Sequence, residues 1–172
     1  DLFPVMEKKG IVGAAFLPTD GQIDPSGVTY ALAKGARDRG AEIYTDTRVT
    51  GITLKNGAVR EVITEKGKIK TEIVVNAAGI WAPEIGKMVG VPIPIIPMEH
   101  QYIITKPIEG VPRGMTTMRD PDLLVYFREE VGGLVMGGYE HNPIPWALDG
   151  IPRDFTKKLL KSNYEHFEPL SA

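Results

Sequence analysis

Ile73-Val74-Val75-Asn76-Ala77-Ala78-Gly79-Ile80-Trp81 is the stretch whose reading decides the fold. Three consecutive β-branched residues, Ile73, Val74 and Val75, predict a short strand buried on both faces. Asn76, Ala77, Ala78 and Gly79 then remove nearly all side-chain bulk at the strand's carboxyl end. In an open α/β sheet that end is where ligands bind, and small residues there let backbone amides come close. Trp81 follows as the first large surface. A small-residue run after a strand is equally what a closely packed helix requires, so the neighbouring segments decide between the two.

Before this stretch, residues 10–16 read as an apolar strand, and Pro18-Thr19-Asp20-Gly21 as a turn. Asp24-Pro25 is a helix start: the carboxylate caps free amides, and proline suits the first helical position. Val28, Ala31, Leu32 and Ala36 recur at helical spacing, which predicts a core-facing helix closed by Gly40. Residues 41–45 then read as a strand, the layout of an α/β crossover. From Arg48 the pattern changes to hairpins over residues 49–54, 58–64 and 69–75, with turns at Asn56-Gly57 and Lys66-Gly67.

After it, Trp81-Ala82-Pro83 opens a helix that Gly90 ends, and the proline-rich residues 91–97 read as a crossing between two lobes. Residues 98–105 alternate, with Met98, His100, Tyr102 and Ile104 on the more apolar face. Two further strands are expected at residues 123–128 and 134–139, the first with a core face of Leu123, Val125 and Phe127. Gly137-Gly138 interrupts the second, as glycine does where something must approach closely. A loop over residues 141–152 leads to a docking helix at residues 154–167, and Arg128 reads as one half of an ion pair.

At 172 residues the chain is one average domain or pieces of two, with 20 basic and 22 acidic residues, a net charge of -2 and no cysteine. That balance gives no electrostatic case for nucleic acid. Without cysteine there is no disulfide, thiolate catalysis or cysteine-ligated zinc, and a cytoplasmic location is the easier fit. No apolar run reaches the ~20 residues that cross a bilayer. The abrupt start at Asp1-Leu2-Phe3-Pro4 reads as that of an excised piece. There is no Gly-x-Gly-x-x-Gly phosphate cradle, no metal-ligand cluster and no nucleophile elbow.

Asn76-Ala77-Ala78-Gly79 with Trp81, Asp20-Gly21 through Asp24-Pro25, Glu99-His100-Gln101-Tyr102, Val125-Tyr126-Phe127-Arg128-Glu129 and Gly137-Gly138-Tyr139-Glu140 carry a resemblance. Together they resemble the FAD-dependent D-amino acid oxidase and glycine oxidase superfamily. Within it, Glu99-His100-Gln101-Tyr102 and the run from Val125 through Gly132-Gly133-Leu134 to Glu140 point to the dimethylglycine and sarcosine dehydrogenases or oxidases. The resemblance implies an α+β fold: a partial FAD-binding segment with its β-meander over residues 1–94, joined to an antiparallel substrate-binding lobe over residues 95–172. It implies FAD as cofactor, with Val49, Ala78, Gly79 and Trp81 on the cofactor side and His100 and Tyr126 as catalytic residues lining the substrate pocket. The missing cradle and the histidine of covalent flavin attachment lie upstream in such proteins, so most of the FAD site is expected outside this chain. The isolated stretch is expected to be inactive. A small-molecule amine is the implied substrate, and a folate-binding domain or an electron acceptor the implied partner of the whole protein.

Oxidising an N-methyl amine by hydride transfer needs a free lone pair. If the amine resembles lysine, presenting it neutral at pH 7 costs roughly 4 kcal/mol. A desolvated aromatic site lowers that cost, and a neighbouring histidine or tyrosine takes the proton. Two other functions fit the same residues: a flavoenzyme acting on a 2-hydroxyacid or glycerol phosphate, and a non-catalytic module derived from such an enzyme.

Overall fold

Asp24 caps the first helix as its position predicts, its carboxylate oxygens accepting from the amides of Ser26 at 3.1 Å and Gly27 at 2.8 Å. Pro25 opens that helix, α1, Pro25–Arg37, in the computed structural model, which describes residues 2–155 and 158–167. At its end Gly40 takes φ +89°, and the Gly40 and Ala41 amides return to the carbonyls of Arg37 and Ala36, the left-handed closure that glycine permits. The expected core contact is absent: α1 has no buried residue, and Leu32 is exposed.

The architecture is mixed α and β with two antiparallel sheets, and the chain divides into two compact units. One comprises Thr29–Met98 and Pro145–Lys158. It holds β1, Val49–Lys55, β2, Ala58–Thr64, and β3, Gly67–Lys70, in that order. Asn56 at φ +53° and Gly57 at φ +76° form the first hairpin turn. The second turn is Glu65-Lys66, one residue earlier than expected, because Thr64 pairs with Gly67. A short 3-10 turn, Gly79–Trp81, leads into α2, Ala82–Lys87. The Val91 amide donates to the Gly86 carbonyl at 3.0 Å, a close return that leaves no room for a Cβ on Gly86. Glu84 ties this corner together, accepting from the Ile151 amide at 3.3 Å and lying 3.9 Å from Arg48.

Three predicted strands do not form. Residues 10–16, 41–45 and 73–75 pair with no strand among the described residues, and Ile73 and Val75 are 79% and 84% exposed. A β-branched run becomes a doubly buried strand only where neighbours flank both edges and helices cover both faces. Here β3 stops at Lys70, so the chain leaves the meander before the run begins.

The other unit comprises Asp1–Val28, Glu99–Ile144 and Leu159–Ala172. Its sheet is built from β4, Tyr102–Ile104, β5, Met118–Asp120, β6, Val125–Glu130, and β7, Gly133–Gly138, in the order β4-β7-β6-β5. Phe3 packs edge-on against Phe127 at 6.3 Å, and Met115, Val125 and Phe167 are buried in the same unit. Leu123 is exposed, contrary to expectation, because the Asp120 carboxylate accepts from the amides of Asp122 and Leu123 and holds a turn that delays β6 to Val125. The three-residue β5, too short to show alternation, was not anticipated. Nor does a helix fill residues 154–167: Thr156 and Lys157 lie outside the described residues, Leu159 is exposed, and only α3, Tyr164–Phe167, is helical. Asn163 restarts it by accepting from the His166 amide at 3.1 Å. Among the described residues no helix is long and apolar enough to cross a membrane.

Between β6 and β7, Val131 at φ +51° precedes Gly132 at φ +79°, a turn geometry that strains a β-branched residue. Val131 is 73% exposed and so gains little packing in exchange. Val131→Asn is expected to raise stability by about 1 kcal/mol, read as a higher urea midpoint. An unchanged or lower midpoint would show the strain to be relieved elsewhere.

The Glu129 carboxylate accepts from the Gly132 amide at 2.7 Å and the Gly114 amide at 3.2 Å. These bonds hold its pKa below the usual carboxylate value, outweighing a smaller desolvation effect. A lowered folded value stabilises above the ordinary carboxylate range and is lost as pH falls through it. The denaturation gap between wild type and Glu129→Gln is therefore expected to be widest at neutral pH and to close as the pH falls below the ordinary carboxylate range through the lowered folded value. A gap independent of pH would refute this.

Candidate active site

Register across the four-stranded sheet assembles the site. Tyr102 pairs with Gly137, Gly137 with Tyr126, and Tyr126 with Arg119, and partners directly opposite in an antiparallel sheet share a face. His100 lies two residues before Tyr102 and Tyr139 two after Gly137, so alternation extends the same face. The His100 ring stacks 5.2 Å from Tyr139 and 6.4 Å from Tyr126, and Tyr126 lies 5.9 Å from Tyr139. The Arg119 guanidinium sits 5.2 Å over the Tyr139 ring. His100 Nδ1 is 3.4 Å from Glu140 Oε2.

Gly137 makes this possible. The Tyr126 ring lies over it so closely that a Cβ would overlap the phenol, an instance of an aromatic covering a cross-strand glycine. Burial, followed by the neighbouring Tyr139, Tyr102 and Glu140, pushes the Tyr126 hydroxyl above its ordinary pKa. It is therefore a neutral donor at physiological pH.

The face carrying His100 is apolar in composition, as expected, yet it is the open one. Met98, Tyr102 and Ile104 are exposed, whereas Gln101, Ile103 and Thr105 are partly covered. Aromatic and apolar groups left open around a few polar handles describe a ligand surface better than a core. Arg128 pairs with Glu130 at 2.8 Å.

The residues assigned to the cofactor side lie in the other unit. Ala78 and Gly79 form one turn, in which the Asn76 side chain accepts from the Ala78 amide at 3.3 Å and donates to the Ala82 carbonyl at 3.0 Å. Gly79, at φ +55°, has nothing within 4 Å of where a Cβ would stand. Trp81, in the same turn, is 38% exposed. Val49 is on a different element, at the start of β1 opposite Thr64, and half-buried.

A family profile described as DAO, FAD dependent oxidoreductase, matches residues 1–172. The chain belongs to the DAO family. This DAO-family chain is 41% identical over 171 residues to sarcosine dehydrogenase, mitochondrial, of Homo sapiens, covering 96% of the chain and 18% of that protein. It is 36% identical over 173 residues to dimethylglycine dehydrogenase, mitochondrial, of Mus musculus, covering 96% of the chain and 20% of that protein. Among solved structures, L-proline dehydrogenase from P. horikoshii superposes with TM-score 0.71 at 34% identity, covering 90% of this chain and 39% of that one. The chain thus spans about a fifth of the length of these curated relatives.

Sequence reading gave no role to Arg119, Tyr139 or Glu140. Tyr139 stands in a glycine-rich motif whose parity with Tyr126, through Gly137, becomes visible only once β6 and β7 are in register, and Glu140, just beyond β7, is identified only by its contact with His100. Arg119 sits on the strand that sequence did not reveal.

Proposed function

We propose that the protein carrying this chain is an FAD-dependent oxidoreductase that oxidises an N-methyl amino acid of the sarcosine or dimethylglycine class. The observation that carries the reading is the open aromatic face of His100, Tyr126 and Tyr139 beside the Glu140 carboxylate. Such a face suits an alkylated ammonium ion, which aromatic rings attract. Two relatives named for sarcosine and dimethylglycine, and a solved structure named for L-proline, support a secondary or tertiary amine substrate.

In this reading the unit of the meander and the Gly79 turn belongs to the FAD side, and the unit of the four-stranded sheet is the substrate lobe. The unfilled space at Gly79 and the exposed backbone beside it fit a cofactor's edge, with Ala78, Gly79, Trp81 and Val49 as the residues that would hold it. With no glycine cradle in the chain, the pyrophosphate is held by polypeptide outside this stretch. FAD, when bound, supplies the two-electron acceptor for the hydride. His100 takes the ammonium proton and so exposes the lone pair, while the Tyr126 hydroxyl donates a hydrogen bond to the substrate.

Absorbance of the purified full-length protein tests this. A yellow flavin spectrum bleached by anaerobic sarcosine or dimethylglycine is the expected result. Bleaching only by a 2-hydroxyacid or glycerol phosphate, or a colourless protein, would overturn it.

A further inference from the structure

Glu140 is the most enclosed charged side chain at this face, only 6% exposed, and its described polar partner is the His100 ring nitrogen Nδ1. A carboxylate withdrawn from water to that degree requires a donor. As an ionised carboxylate it accepts only, so the shared proton sits on His100 Nδ1. We infer that Glu140 is a positioning residue for His100: it fixes the ring's orientation and the tautomer whose free lone pair is on Nε2. This rests on the reading of His100 as the group that receives the substrate's proton.

The surroundings leave Glu140 to set the tautomer. Tyr139 and Tyr126 stack on the imidazole and restrict its tilt, but stacked ring faces select neither nitrogen. Tyr102 lies two residues along the same face. Of the cations nearby, Arg119 rests over Tyr139 and Arg128 is paired with Glu130. A base held by stacking on one side and by a carboxylate on Nδ1 follows the arrangement by which an acidic residue orients a catalytic imidazole. Without the carboxylate the imidazole is free to place its proton on Nε2, where it has no lone pair to offer.

Nuclear magnetic resonance of the full-length, flavin-loaded protein with isotope-labelled histidine nitrogens tests the assignment. The His100 signals are identified by their disappearance in His100→Asn. Wild type is expected to show the Nδ1-protonated tautomer. Glu140→Gln, whose amide oxygen still accepts from Nδ1, is expected to keep that tautomer and most of the turnover. Glu140→Leu is expected to lose the tautomer and to lower kcat for dimethylglycine about tenfold or more with little change in KM. An Nε2-protonated wild type, or a Glu140→Leu protein that keeps both tautomer and rate, overturns the inference. If neither sarcosine nor dimethylglycine reduces the wild type, the proposed function fails, and the tautomer comparison still decides the role of Glu140.

Discussion

His100→Asn in the full-length flavoprotein is expected to slow anaerobic reduction by dimethylglycine about 100-fold, the lower end of what a positioned acid or base contributes. Asparagine preserves much of the ring's polar volume but has no basic nitrogen, so it leaves the ammonium with no acceptor beside Tyr126. The loss is expected in the rate of flavin reduction and to a smaller degree in substrate affinity, because the aromatic walls of Tyr126 and Tyr139 remain. Tyr126→Phe keeps those walls and is expected to be milder. Stopped-flow measurement of bleaching separates the two parameters. A rate within threefold of wild type would show that the proton leaves by another route.

Gly137→Ala is expected to lower the same rate about 100-fold without touching a group that handles a proton, the scale on which an ångström of misplacement acts. A Cβ at residue 137 would stand 2.7 Å from Tyr126 Cε1, with the hydroxyl and Cζ nearer still. The ring is the movable partner, so it swings away and takes with it the contacts to His100 and Tyr139. Overpacking of this kind costs about 1–3 kcal/mol, which leaves a folded but misaligned protein. Pairing the substitution with Tyr126→Phe should show strong non-additivity, since both disturb one ring. A Gly137→Ala protein as fast as wild type would mean that the close approach at Gly137 is not needed for turnover.

Sequence revealed what is local and left hidden what depends on pairing. The Asp24-Pro25 cap, the Asn56-Gly57 turn and the closures at Gly40 and Gly90 are each decided within a few residues, and all four form. His100 and Tyr126, separated by 26 positions, come together only through strand pairing. By contrast, Ile73, Val74 and Val75 have the composition of a buried strand but find no neighbours here, and hydrophobic pattern alone does not supply a partner. Leu123 failed as a core position for a related reason: the Asp120 side chain captures two amides and sets where β6 begins. Arg119 became a site residue only through its register with Tyr126.

The uncovered hydrophobic segments have a practical corollary. Val12, Phe16, Ile73 and Val75 present apolar side chains to solvent on backbone that pairs with no strand, and such surfaces recruit copies of themselves. This polypeptide is therefore expected to self-associate as its concentration rises, and charges engineered along those bare tracts are expected to keep it dispersed.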